Sequence, residues 1–285
     1  MNLVKDEKFF AGLFYFADIS MKRKRSMELE EYLKRNPRFA LAFSGGTDSS
    51  YLLYAAKSAG CDVHPYLLKS PFQPQFELDD ARKVAESLGV KLTVVEFDIL
   101  QDPQVRKNPA DRCYYCKKAL FTLLWQRVRA DGYNLLCDGT NASDQVDDRP
   151  GMKALKELQV RSPLRECGLT KPEIRRLSRE AGLFTGDKPA YACLATRVPA
   201  GTPITAPLLE KIECAENALF TLGFSDFRVR YFGGAAKLQL PAEQFADGLK
   251  RHAEIVSALS KDFHDVLLDL RPRQTEEKRW NSNKR

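Results

Sequence analysis

Apolar and polar positions along the chain fall into two rhythms. Up to residue 137, short apolar runs alternate with stretches of helical period. Residues 39–43, 62–68, 91–97 and 133–137 read as strands. Residues 49–59, 77–88 and 117–130 read as helices, and Gly60 and Gly89 stand where the first two should stop. A short helix over 28–34 leads into the first strand. This β-α-β alternation predicts an α/β fold, a parallel sheet with helices on both faces, whose ligand sits beyond the carboxyl ends of the strands. Thr170-Lys171-Pro172-Glu173 is a capping-box signature opening a helix over 171–181. After Thr205 the rhythm changes. A helix over 206–222, strands over 227–232 and 236–240 joined by Gly233-Gly234, a helix over 242–259 and a strand over 265–270 predict a smaller C-terminal α+β domain. The expected division is an N-terminal extension (1–25), an α/β domain (26–200), the small domain (201–270) and a basic tail (271–285).

The stretch that organises the first domain follows its first strand. Ser44-Gly45-Gly46-Thr47-Asp48-Ser49-Ser50 leads directly into a helical pattern. A helix N-terminus offers free N–H groups and partial positive charge. The glycines allow close backbone approach, and the hydroxyls add donors, so the stretch suits phosphate or pyrophosphate. It lacks the lysine of a Walker loop. Asp48 in such a cradle would repel the ligand unless a cation stands between them, which points to Mg²⁺ bridging Asp48 and the phosphates. Asp144, in the polar loop after the fourth strand, and Arg149 in the Arg149-Pro150-Gly151 turn are candidate ligand contacts at the same rim.

Composition adds little to this picture and charge removes one option. The 285 residues are 44% hydrophobic and 29% charged, which is globular, and no apolar run approaches the ~20 residues that span a bilayer. Acids precede the apolar run at 9–16, which argues against a secretory signal. The net charge is +7, but residues 22–25 and 271–285 each contribute +4, leaving the rest at −1. A basic nucleic-acid face is therefore not expected, and the basic tails read as solvated. The seven cysteines are odd in number and argue for a cytoplasmic protein without a disulfide framework. Cys61, Cys137 and Cys214 read as packing residues.

The chemistry-bearing cysteines are Cys113 and Cys116, in a C-x-x-C at a helix start, and Cys193, in a Gly- and Pro-rich loop. C-x-x-C serves as half a zinc site, a redox dithiol or part of an Fe–S site. No histidine is an obvious fourth zinc ligand. Lys117, Lys118 and the helix N-terminus favour thiolate at both members of the pair. Three thiolates would leave one iron of a [4Fe–4S] cluster open, so the cluster is the favoured reading.

The order Ser44-Gly45-Gly46-Thr47-Asp48-Ser49 resembles the SGGxDS loop of the PP-loop ATP pyrophosphatases. SGGTDSS (44–50), NPADRCYYCKKALF (108–121), DGTNASDQVDDRPG (138–151), VRSPL (160–164), GLTKPEIRRLSREAGL (168–183) and DKPAYACLATRVPAGTPIT (187–205) together resemble the LarE family. The resemblance runs in order from about residue 29 to 270. It implies a sulfur transferase of nickel-pincer cofactor biosynthesis, the pathway that matures lactate racemase. In that family ATP adenylates the carboxylates of a nicotinate-derived mononucleotide, and sulfur replaces AMP to give thiocarboxylates. The resemblance implies that Cys113, Cys116 and Cys193 hold a [4Fe–4S] cluster, with Cys193 catalytic and a sulfide donor as partner. Arg228 and Arg230 match as well. In an R-x-R strand both side chains project to one face, and the resemblance implies phosphate or carboxylate binding there. The tail after Leu270 departs from the family pattern. Two other readings stand beside this one: a PP-loop tRNA thiolase, and a non-catalytic nucleotide-binding protein with structural zinc. The sequence leaves a homo-oligomer open.

Overall fold

In a computed structural model, residues 25–144 and 150–274 are described. The chain divides into two compact units. Among the described residues, the first comprises 25–68, 79–95, 121–144 and 150–188, and the second 69–78, 96–120 and 189–274.

The first unit is built on a four-stranded parallel sheet in the order β3-β2-β1-β4. Its strands are β1 (Arg38–Ala42), β2 (Asp62–Lys69), β3 (Thr93–Glu96) and β4 (Leu136–Asp138). β1 pairs in parallel with β2, Phe39 opposite Val63, and with β4, Leu41 opposite Cys137. Phe39, Ala40 and Leu41 are all fully buried, because a central parallel strand is covered on both faces and needs an unbroken apolar run. One face packs Ala40, Tyr66 and Leu136 against Leu124, Val128 and Leu155. The helices used below are α1 (Thr47–Ser58), α2 (Gln75–Ser87), α3 (Arg112–Ala130), α4 (Lys171–Glu180) and α5 (Ala206–Thr221). Because the strand order reverses between β1 and β4, their following loops leave the sheet at a topological switch point, the usual place for a ligand.

In the second unit β5 (Arg228–Phe232) pairs antiparallel with β6 (Ala235–Gln239), and β6 pairs in parallel with β7 (Val266–Leu268). Helix α5 packs on β5 through a stripe at Leu209, Ile212, Ala215 and Leu219.

Several elements differ from the sequence reading. Helix α1 starts at Thr47, with Gly46 as its N-cap, so Thr47 and Asp48 lie in its first turn. Helix α3 starts at Arg112 and therefore includes both members of the C-x-x-C. The single helix expected over 242–259 is a 3-10 turn and two helices, Phe245–Lys250 and His252–Leu259, separated where Arg251 leaves helical geometry at φ −100°, ψ 21°. Arg25 is not a solvated tail charge. Its guanidinium pairs with the buried Glu173 carboxylate at 2.9 and 3.0 Å. Among the described residues no helix is long and apolar enough to cross a membrane.

Candidate active site

A tight glycine turn joins β1 to α1. After β1, Gly45 turns the chain with φ +68°, and a Cβ there would lie 2.8 Å from the backbone of Ala81 on α2. Both facts exclude a side chain. The N-cap Gly46 makes no side-chain cap, so the first N–H groups of α1 are not covered by one. Ser44 and Ser49 brace the turn, their Oγ atoms 3.2 Å apart, and Gly46 N–H donates to Ser44 Oγ at 3.3 Å. Thr47 Oγ1 donates to the Thr185 carbonyl at 2.7 Å, and the fully buried Ser50 Oγ has no hydrogen-bond partner. The loop after β4 closes on the same turn. A Cβ on Gly139 would stand 2.8 Å from Ser49 N, so these two loops approach at backbone distance. Asp138, buried at the end of β4, accepts from Thr140 N at 3.1 Å, Thr140 Oγ1 at 2.6 Å and Ser162 Oγ at 2.7 Å.

Asp48 Oδ2 meets an ammonium. Lys171 Nζ, at the start of α4, stands 2.7 Å away. The sequence reading anticipated a cation beside Asp48 but assigned it to Mg²⁺ alone and used Lys171 only as a helix-start marker. Asp144 is occupied with turn chemistry, accepting from Asn141 N at 3.1 Å, while its carbonyl accepts from Arg165 at 2.8 Å. Arg149 lies outside the described residues.

The three cysteines all fall in the second unit. Cys113 and Cys116 stand in the first turns of α3, one helical turn apart, and Cys193 precedes the 3-10 turn Leu194–Arg197. Two residues of the N-P-A-D-R-C run tie these segments together. Arg112 donates to Asn108 Oδ1 at 2.6 Å and to the Ala195 carbonyl at 2.9 Å. Asn108 Nδ2 donates to the carbonyls of Pro199 at 2.8 Å and Thr202 at 3.0 Å. The thiols feel one another. Burial, then the neighbouring Cys193 and Cys113, push the Cys116 thiol up to about 12. Burial also raises Cys193, against the pull of Arg112. At Cys116 this upward push from burial works against the downward pull of Arg112 and Lys117. Desolvation outweighs those cations. Cys61 and Cys137 are buried as expected, whereas Cys214 is exposed and is not a packing residue.

Arg228 and Arg230 do project together from β5, as alternation requires, but neither is a solvated strand charge. Arg228 is buried and donates to the Ala190 carbonyl at 2.6 Å. Arg230 donates to the Thr196 carbonyl at 2.7 Å and to Gln239. Burial, then the charges of Arg197 and Arg273, lower Arg228 to about 10. Arg197 is wholly buried, pairs with Glu216 Oε1 at 2.9 Å, and donates to the carbonyls of Ala192 at 2.6 Å and Cys193 at 3.3 Å. Glu216 also accepts from the Tyr191 hydroxyl and from Val229 N at 3.0 Å. Four guanidinium groups, from residues 112, 197, 228 and 230, therefore grip backbone carbonyls between Ala190 and Thr196, the segment that carries Cys193. Sequence reasoning missed Arg112, Arg197 and Glu216. The available signal was Glu216 itself, a carboxylate inside the apolar stripe of α5.

A glycine turn between a central parallel strand and an uncapped helix N-terminus, with an acid in its first turn and a sheet switch point beside it, defines a nucleotide-using α/β protein of the PP-loop class. The family model for the queuosine biosynthesis protein QueC matches residues 38–107, the segment that contains this turn. The chain is 36% identical to an uncharacterized protein of Synechocystis over 79% of its length and 84% of that protein's. It is 34% identical to the pyridinium-3,5-bisthiocarboxylic acid mononucleotide synthase of Lactiplantibacillus plantarum, over 84% of this chain and 87% of that enzyme. A tRNA-specific 2-thiouridylase, MnmA of Clostridium perfringens, is 25% identical over 53% of each chain. The chain belongs to the family of the pyridinium-3,5-bisthiocarboxylic acid mononucleotide synthase, LarE.

Proposed function

We propose that this chain is an ATP-dependent sulfur transferase that converts the carboxylates of pyridinium-3,5-biscarboxylic acid mononucleotide into thiocarboxylates. The observation that carries the reading is the joint presence of the braced Ser44–Ser50 turn and of three cysteines on segments tied together by Arg112 and Asn108, in a chain of this family. A free carboxylate is a poor electrophile, so it must first be activated. A substrate carboxylate oxygen attacks the α-phosphorus of ATP and pyrophosphate leaves. A sulfur nucleophile then adds to the acyl carbon and AMP leaves with the electron pair of the C–O bond. The turn's N–H groups and hydroxyls bind and orient the phosphates, and positioning with charge neutralisation supplies most of the acceleration. Gly45 fits this role because only a residue without a side chain leaves the turn open beside Ala81. Asp48 and the phosphates would hold Mg²⁺. We assign activation to the domain expected over 26–200, and substrate anion binding to Arg228 and Arg230 of the small domain over 201–270.

The donor set suits a [4Fe–4S] cluster, since the three cysteines come from two segments that Arg112 and Asn108 hold together. Among the described residues, no group of three or more ligating side chains is closed to metal-binding distances. Cys113, Cys116 and Cys193 would hold the cluster, which when bound supplies an iron position open to an added sulfide. The chain's own contribution is to present Cys193 on a segment fixed by four arginines. The seven free cysteines accord with a cytoplasmic location.

The deciding experiment incubates the anaerobically purified chain with ATP, sulfide and the dicarboxylated mononucleotide and follows the products by mass. Pyrophosphate, AMP and a product with one sulfur-for-oxygen exchange are expected, from protein that carries iron and acid-labile sulfide. Zinc in place of iron would overturn the cluster assignment. Thiolation of tRNA with no change in the mononucleotide would overturn the substrate.

A further inference from the structure

Lys171 occupies the first residue of α4, after the N-cap Thr170 and before Pro172. The start of this helix is already secured, because Glu173 accepts from Thr170 N at 2.8 Å and from Thr170 Oγ1 at 2.6 Å. A cation at a helix N-terminus opposes the macrodipole, so α4 itself has no use for a base there. The side chain is nonetheless held in place. Its ammonium lies 2.7 Å from Asp48 Oδ2, with only about a fifth of either side chain exposed (20% and 21%).

Helices α1 and α4 pack together, which brings the first turn of α4 to the first turn of α1, where Asp48 stands. The backbone N–H of Lys171 donates to Ser143 Oγ at 2.9 Å, in the loop that follows β4. One residue thus joins the turn after β1 and the loop after β4, the two connections that flank the switch point. An ammonium carries three N–H donors, and the hydrogen bond to Asp48 uses one. The remaining donors belong to a side chain that is still partly open to solvent.

We infer that Lys171 is a triphosphate-contacting residue of the ATP site, whose ammonium bridges the Asp48 carboxylate to the β- and γ-phosphates. Asp48 then keeps its charge without repelling the polyphosphate, and the cation needed beside it is supplied in part by the chain. The adenosine and α-phosphate end of the nucleotide gains nothing from this contact. Lys171 therefore separates ATP from AMP, and so favours nucleotide before activation over the nucleotide released after sulfur transfer. This inference rests on the ATP-dependent reading above.

The test is isothermal titration calorimetry on the full chain with α,β-methylene-ATP and, separately, with AMP. Loss of a charge-assisted hydrogen bond in Lys171→Gln should weaken the ATP analogue roughly 10- to 100-fold. AMP should weaken less than about threefold, because it does not reach the ammonium. Lys171→Arg keeps the charge and should recover most of the analogue's affinity. Where Lys171→Gln does not fold, Asp48→Asn is compared with Asp48→Asn/Lys171→Gln, and the double variant must show a further triphosphate-selective loss beyond that of Asp48→Asn alone. An unchanged affinity for the analogue, or an equal loss for analogue and AMP, overturns the inference. Failure of the proposed function shows separately, as a native chain that discriminates ATP from AMP through Lys171 yet forms no thiocarboxylate.

Discussion

Replacing Glu216 with Gln should unfold the second unit far more readily than any surface change. The two side chains of the Arg197–Glu216 pair are 0% and 2% exposed. Glu216 receives Arg197 Nε at 2.9 Å and Nη2 at 3.1 Å, together with Val229 N at 3.0 Å and the Tyr191 hydroxyl. Gln is nearly the same size and keeps one oxygen, so no cavity opens. What changes is that a buried guanidinium loses its counter-charge and meets an amide that also donates. Breaking one side of a buried ion pair costs about 3–5 kcal/mol. Against a total stability of about 5–15 kcal/mol this is a large share. Arg197→Met should cost a similar amount for the converse reason. The Arg197→Met/Glu216→Gln double variant removes both charges and should recover at least about 1 kcal/mol relative to the sum of the single changes. Urea titration followed by circular dichroism measures all three. The reasoning is refuted if Glu216→Gln lies within about 1 kcal/mol of the native chain, or if the two single losses simply add in the double variant.

Gly45→Ala forces a side chain to φ +68° and to 2.8 Å from the Ala81 backbone. The left-handed conformation alone costs about 1–2 kcal/mol, and calorimetry should show ATP-analogue binding lost at least tenfold, on the order of 1.4 kcal/mol. Arg112→Lys replaces a fork that spans Asn108 Oδ1 and the Ala195 carbonyl with a single ammonium. It should cost about 1.5–3 kcal/mol of stability and lower thiocarboxylate formation while pyrophosphate release continues. Equal loss of both activities would argue against a role confined to the cysteine segment.

The first unit was largely legible because its signals are local. Apolar runs, glycine stops and the capping box each act within a few residues, and the parallel pairing follows from the β-α-β rhythm. The turn at Gly45 was legible for the same reason. The partner of Asp48 was not. Lys171 lies 123 residues away in sequence, and its visible local role, at the head of a capping box, drew attention from its side chain. The cysteine segment hid its supports in the same way. Its hydrogen bonds come from residues 112, 197, 228 and 230, and only the last two share a recognisable pattern. That pattern correctly placed both side chains on one face of β5, but it could not reveal that the carbonyls of residues 190–196 are what they meet. The early start of α3 was missed because Arg112 to Cys116 show little apolar period, and burial of Cys116 overrode the charge argument made from Lys117 and Lys118.

The segment around Cys193 has a consequence for how the protein acquires and keeps its shape. Residues 190–196 include no strand and little helix, so ladder bonds do not account for their order. It comes from side chains on α3 and β5, from Arg197 just beyond the segment, and from one backbone bond, Leu194 N–H to the Phe72 carbonyl at 2.9 Å. Such a peptide cannot form early or alone during folding, because each of its braces must already be in position. It should also resist fraying once formed, since releasing one carbonyl strands a buried guanidinium. Amide exchange there should follow the global opening of the second unit and not the local opening usual for loops. The cysteine is thereby held with the rigidity of a core element on a stretch of chain that, by its backbone alone, is a loop.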